Sequence, residues 1–120
     1  MIRNLIFVGL GGACGAIMRY GITLLFTMLQ WSTTIGTFLT NIVGSFCIGL
    51  VTSCCQQHSL MLFLSVGMCG GFTTYSTFSM QSVTMLQQGR YGTAACYILG
   101  TATLCVAFAA AGYLLGQKMR

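Results

Sequence analysis

The chain contains no aspartate and no glutamate, and only 4% of its residues are charged, whereas 56% are hydrophobic. A soluble domain carries about 25% charged residues, which form its polar coat. Without such a coat, the chain is expected to fold as an integral protein of the cell membrane. Its net charge of +5 is scattered, mostly over predicted helix ends, which favours anchoring to lipid headgroups over binding to nucleic acid.

Four membrane-spanning helices are predicted, since a helix needs about 20 residues to cross a bilayer. The expected spans cover about residues 4–29, 34–56, 60–88 and 93–117, which together form one all-α domain, 1–120. Small residues recur at four-residue spacing within these spans, which lets neighbouring helices approach closely. The glycines predicted to pack helices in this way are Gly11, Gly15, Gly44, Gly112 and Gly116.

Residues 67–79 interrupt the third apolar region with three glycines, three aromatics and a cluster of hydroxyls. Glycine loosens a helix, and Ser and Thr side chains compete for its backbone hydrogen bonds. The chain has no proline, so an interruption here must come from these residues. Irregular backbone inside a membrane persists only where protein buries it or water lines it. The stretch therefore predicts a third helix broken near the bilayer midplane, carrying an ion site.

Two polar side chains stand inside predicted spans. Arg19 lies about two-thirds along the first span, where a charge is expensive in lipid. It either snorkels to the interface or faces a packed interior or aqueous vestibule, and without carboxylates its partner must be a carbonyl, water, lipid phosphate or anion. Asn41 in the second span either joins two helices by a hydrogen bond or points a donor into a pore.

Neutral donors and aromatic ring edges make up the remaining polar lining. Tyr75, Phe78 and Ser79 share one face if the second half of the third span is helical, which suits either core packing or pore lining. Tyr97 and Thr101 stand four apart on the last span. Donors and ring edges suit an anion, whereas carbonyls exposed at a helix break suit a cation. The residue types thus indicate passage of a small anion, with a cation bound at the break.

Missing residue types exclude other classes of protein. With no carboxylate and only His58, in a predicted turn, the chain has no acid–base pair and no nucleophile–base pair, so it is not expected to be an enzyme. Small multidrug exporters have four spans and a similar length, but they depend on a glutamate in the first span. The seven cysteines show no spacing typical of a metal site.

Three motifs, covering nearly the whole chain, resemble the Fluc (CrcB) family of fluoride channels. The third is the most specific of them. In order, they are Gly11-Gly12-x-x-Gly15-Ala16-x-x-Arg19-Tyr20, Gly36-Thr37-x-x-x-Asn41-x-x-Gly44, and Gly67-x-x-Gly70-Gly71-Phe72-Thr73-Thr74-Tyr75-Ser76-Thr77-Phe78-Ser79.

The resemblance implies a fluoride-selective channel that releases fluoride passively and so lowers its toxicity in the cytoplasm. It also implies a dual-topology homodimer, in which two copies insert antiparallel to one another. Fluoride, membrane lipid and a second copy of the chain would then be the partners. The alternative is a non-conducting subunit of a heterodimeric channel, and a small cation exporter remains a more remote one.

The resemblance also assigns residues by position. The backbone carbonyls of Gly70 and Thr73 would hold a structural Na⁺ at the twofold axis. In two places this chain departs from the family pattern, with Tyr75 where Phe is usual and Gln81 where Glu is frequent. The residues assigned to the anion pathway are Asn41, Tyr75, Phe78, Ser79, Tyr97 and Thr101, with Arg19 towards the vestibule or a structural interface.

Overall fold

The structure, a computed structural model, describes residues 1–119, which are helical apart from short connections. The all-α prediction is therefore confirmed. Arg120, one of the basic residues at helix ends that are predicted to anchor to lipid headgroups, lies outside the described residues. The helices are α1 (Ile2–Met28), α2 (Thr33–Cys54), α3 (His58–Met61), a π-helical segment (Leu62–Cys69), α4 (Gly70–Phe72), α5 (Tyr75–Gln87) and α6 (Tyr91–Met119).

Three of these helices are long and apolar enough to cross a membrane. Helices α1, α2 and α6 have 27, 22 and 29 residues, and they contain 18-residue windows with mean hydropathies of 1.6, 1.7 and 1.9, respectively. The remaining predicted span, residues 60–88, is divided among shorter pieces, of which α5 has 13 residues. A helix of that length falls short of the roughly 20 residues that a bilayer requires. By length and composition, the described chain thus has three candidate spans.

Tight turns fix the direction of consecutive helices. The Ser32 side chain caps α2 by accepting a hydrogen bond from the Thr34 N–H at 3.2 Å. After α5 the chain turns at Gly89, whose φ of +76° suits glycine, and the Arg90 N–H returns to the Met85 carbonyl at 2.9 Å. Because both turns are short, α2 runs back alongside α1, and α6 runs back alongside α5.

Glycines form the closest helix contacts. Helix α1 packs mainly against the π-helical segment and α4, and α2 packs mainly against α6. A Cβ added at Gly11 or Gly15 would overlap a carbonyl oxygen of the π-helical segment, so α1 touches this segment backbone to backbone. Gly112 abuts the Phe46 carbonyl of α2, and Gly116 abuts Ser53. Both seams depend on residues without a side chain.

Replacing Gly15 with alanine should therefore destabilise the protein by about 1–3 kcal/mol, the usual cost of overpacking a close contact. The new methyl group would meet the Met68 carbonyl and the Phe72 amide nitrogen, neither of which can move independently of its helix. Gly21→Ala is the matched control, because no atom lies within 4 Å of a Cβ at that position of the same helix. Thermal unfolding in detergent measures both variants, and equal midpoints would contradict the proposed seam.

Candidate functional site

The interruption between α4 and α5 consists of two extended residues. Thr73 has φ −83° and ψ 156°, and Thr74 has φ −146° and ψ 118°. The Thr73 hydroxyl and amide both donate to the Cys69 carbonyl at 3.0 Å, which closes the end of the preceding helix. The Thr74 hydroxyl caps α5 by accepting from the Thr77 N–H at 3.3 Å. Threonine side chains thus terminate one helix and start the next without a proline.

Side chains from two other helices bind the backbone of the interruption and of α4 just before it. Asn41 Oδ1 on α2 accepts from the Thr74 N–H at 3.0 Å, and its Nδ2 donates to the Thr74 carbonyl at 3.4 Å. Arg19 Nε on α1 donates to the Gly71 carbonyl at 3.1 Å. Asn41 therefore makes a hydrogen bond that joins two parts of the chain, which is one of the two roles predicted for it, and its role on an anion pathway stays a prediction. The partner of Arg19 is a backbone carbonyl, which is one of the four kinds of partner predicted for this side chain in a chain without carboxylates.

A cavity of about 500 Å³ lies between α2, the interruption and α6. Thr101 on α6 is only 6% exposed, and its hydroxyl has no hydrogen-bond partner within residues 1–119. Leaving a buried hydroxyl unpaired costs about 1–3 kcal/mol, and Thr101 is also one of the residues that line the cavity. Seven residues singled out in the sequence line this cavity together: Asn41, Gly44, Gly70, Thr73, Tyr75, Phe78 and Thr101.

Aromatic rings continue from the cavity towards the core of the chain. Tyr75 and Phe78 meet edge to face with centroids 5.7 Å apart, and Phe78 and Tyr97 lie 5.2 Å apart. Tyr75 is 80% exposed on the surface of the single chain, whereas Tyr97 is buried and packs with Met85. The rings therefore form a continuous path from an open edge to the interior.

A second, more polar cavity of about 530 Å³ opens beside α5. Hydroxyls, amides and the Arg90 side chain line it, with no acidic group, since the chain has none. Gln81 lies on its wall, and Gln81 Oε1 accepts a hydrogen bond from the Tyr97 hydroxyl at 2.8 Å. Gln81 therefore connects this cavity to the aromatic rings.

Three residues predicted for the anion pathway are not part of the wall of either cavity. Ser79 is half-buried on α5, Tyr97 packs behind Phe78, and Arg19 on α1 binds the Gly71 carbonyl of α4. The sequence reasoning did not single out Thr74, although a threonine just before a helix is a recognised N-cap signal. It also gave no sign of the bond from Tyr97 to Gln81, because these residues are distant in sequence.

The chain was compared with known proteins. Residues 6–113 match the family described as "CrcB-like protein, Camphor Resistance (CrcB)". A protein of Campylobacter jejuni, named "Fluoride-specific ion channel FluC", is 39% identical over 96% of this chain and 98% of its own length. Proteins of the same name from Ruminiclostridium cellulolyticum and Paracoccus denitrificans are 40% and 37% identical, covering 97% and 99% of this chain and 91% and 98% of their own lengths.

Proposed function

We propose that this chain, which belongs to the CrcB-like protein family, is a fluoride-selective ion channel rather than an enzyme. Its long apolar helices make it a multi-pass membrane protein. In a cell with a negative interior, the membrane voltage drives fluoride outward through a passive pathway. Hydrogen fluoride enters as a neutral weak acid and dissociates inside, so such a leak lowers fluoride toxicity in the cytoplasm.

The observation that carries this proposal is a cavity whose wall brings together Asn41, Phe78 and Thr101 from three separate helices. Fluoride is small and strongly hydrated, so it leaves water only where close donors replace its hydration shell. Hydroxyls, one N–H of the Asn41 amide and positive ring edges supply such contacts. None of these groups carries a full charge, so the anion is stabilised without being trapped.

The interrupted helix supplies the fourth span of the proposed channel. Residues 58–87 carry α3, the π-helical segment, α4 and α5 in succession, and together they have the length to cross a bilayer that none has alone. The extended Thr73 and Thr74 then lie near the midplane. Their irregular backbone is bonded to Asn41 and borders a cavity, which are the conditions under which a membrane tolerates it.

A structural Na⁺ fits the carbonyls at this interruption. In a continuous helix the N–H groups of Thr74 and Thr77 would bond the carbonyls of Gly70 and Thr73, but here they bond Asn41 Oδ1 and the Thr74 hydroxyl. Gly70 and Thr73 both line the cavity. Unwound carbonyls at a helix C-terminus suit Na⁺, which would hold two copies of the interruption together.

A second copy of the chain, inserted antiparallel to the first, completes the proposed pathway. The cavity is open at the surface of the single chain, and Tyr75 at its edge is 80% exposed. Polar groups such as Ser45 in this wall would be costly against lipid tails. A homodimer with twofold symmetry covers both cavities with the same surface and places the two interruptions near the axis.

Fluoride efflux from liposomes tests the proposed function. Purified protein should release fluoride when a K⁺ gradient and valinomycin set the voltage, while chloride is retained as in protein-free liposomes. The selectivity follows from a lining of neutral, close donors that repay the dehydration of the smaller anion. A fluoride electrode and a chloride electrode measure both anions on the same preparation.

Two other results would each lead to a different conclusion. Equal release of fluoride and chloride would contradict a selective channel. If neither anion is released although the protein is folded and inserted, the chain is instead a non-conducting subunit, and adding a second four-span chain should then restore fluoride release.

A further inference from the structure

The Asn41 side chain binds a peptide group that lies outside the helical hydrogen-bond pattern. Asn41 Oδ1 accepts the Thr74 N–H at 3.0 Å, and Asn41 Nδ2 donates to the carbonyl of the same residue at 3.4 Å. In a continuous helix that N–H would bond the Gly70 carbonyl. Asn41 is 8% exposed, so little water competes for the amide.

We infer that Asn41 is a positioning residue for the proposed cation site, because its amide keeps the Gly70 carbonyl free by holding the Thr74 peptide out of the helix. This inference rests on the function proposed above. Nothing in it requires the amide to touch the cation. It gives Asn41 a role in addition to donating to the anion, since its second N–H remains available to the cavity.

Two further side chains bind backbone groups of the same region. The Thr74 hydroxyl takes the Thr77 N–H at 3.3 Å and so releases the Thr73 carbonyl. The Arg19 guanidinium binds the Gly71 carbonyl at 3.1 Å, so that oxygen already has a cationic partner. The Gly70 and Thr73 carbonyls therefore both lose their helical partners to side chains, and both residues line the cavity.

Close packing of α2 against the interruption makes the arrangement rigid. A Cβ at Gly44, one helical turn after Asn41, would overlap the Thr73 methyl group and lie 3.3 Å from the Phe72 ring, so both side chains pack directly on α2. This packing keeps Asn41 beside the Thr74 peptide. Removing the amide acceptor frees the N–H to restore the helical bond.

Sodium-dependent thermal stability in fluoride-free buffer tests this inference without measuring transport. The unfolding midpoint is followed during titration with Na⁺, with N-methylglucamine keeping the ionic strength constant. Wild-type protein should be stabilised in a saturable way. Asn41→Leu should raise the half-saturating Na⁺ concentration at least tenfold, as Thr74→Ala should by freeing the Thr77 N–H, whereas Thr74→Ser keeps the hydroxyl and should behave as wild type.

The controls separate this inference from the proposed function. Tyr75→Ile, on the cavity wall, should keep the wild-type Na⁺ response even where its fluoride flux falls. A wild-type response in Asn41→Leu would overturn the positioning role. If Asn41→Leu fails to fold, a wild-type response in the smaller replacement Asn41→Ala, which also lacks the amide, would overturn it instead. If wild-type protein conducts fluoride but shows no Na⁺ response, the cation site is wrong and the channel proposal stands.

Discussion

Phe78→Ile should reduce fluoride flux by about 100-fold, which corresponds to about 2.7 kcal/mol of lost stabilisation at the top of the barrier. Phe78 lines the cavity between α2, the interruption and α6. It lies between Tyr75 and Tyr97, with ring centroids at 5.7 and 5.2 Å. Isoleucine fills part of the same space but has no positive ring edge to face an anion. The loss is measured as the initial rate of fluoride efflux from liposomes.

Phe38→Ile separates ring chemistry from packing. Phe38 is also half-buried, and its ring centroid lies 6.4 Å from that of Tyr97, but it does not line the cavity between α2, the interruption and α6. The same change there removes a ring from the same neighbour, so flux should stay within about threefold of wild type, since a loss of packing alone mainly affects stability. Similar losses of flux in both variants would show that Phe78 acts by supporting Tyr97.

Gly44→Ala should abolish most of the flux and lower stability by about 1–3 kcal/mol. The added methyl group would overlap the Thr73 methyl group, with the Phe72 ring 3.3 Å away. Helix α2 then has to move away from the interruption, which separates Asn41 from the Thr74 peptide. Fluoride efflux and the thermal unfolding midpoint should therefore fall together.

The double variant Gly44→Ala/Thr73→Ser should recover most of both properties. Serine lacks the methyl group that the new Cβ would meet, and the Thr73 Cβ itself is 3.6 Å from that position, an ordinary contact. The hydroxyl is kept and can still donate to the Cys69 carbonyl, as in the wild type. Thr73→Ser alone is the reference, and a double variant no better than Gly44→Ala would refute direct contact as the cause.

The long helices follow from local sequence, so their bounds are close to those expected. Helix α2, Thr33–Cys54, differs by a residue or two from the predicted 34–56, since apolar runs and polar turns fix where a helix starts and ends. Glycines and hydroxyls likewise marked the stretch around Thr73. These features depend on neighbours in the chain, which a single sequence displays.

The contacts within the site depend on how helices are rotated and paired, which local sequence does not display. The sequence left two roles open for Asn41, because its partner, Thr74, lies 33 residues away in the interruption between α4 and α5. It named several partners for Arg19 without selecting the Gly71 carbonyl. It gave no indication that Leu62–Cys69 would be π-helical, since no simple residue pattern marks that geometry.

The helices that pair most extensively are not consecutive in the chain. Helix α1 packs against the π-helical segment and α4, while α2 packs against α6, which is made after α3, the π-helical segment, α4 and α5. During synthesis, α2 is therefore made well before its partner, and Gly49 can meet the Ala109 carbonyl only after α6 has followed. Until then, the close-packing face of α2 has no helix to pack against.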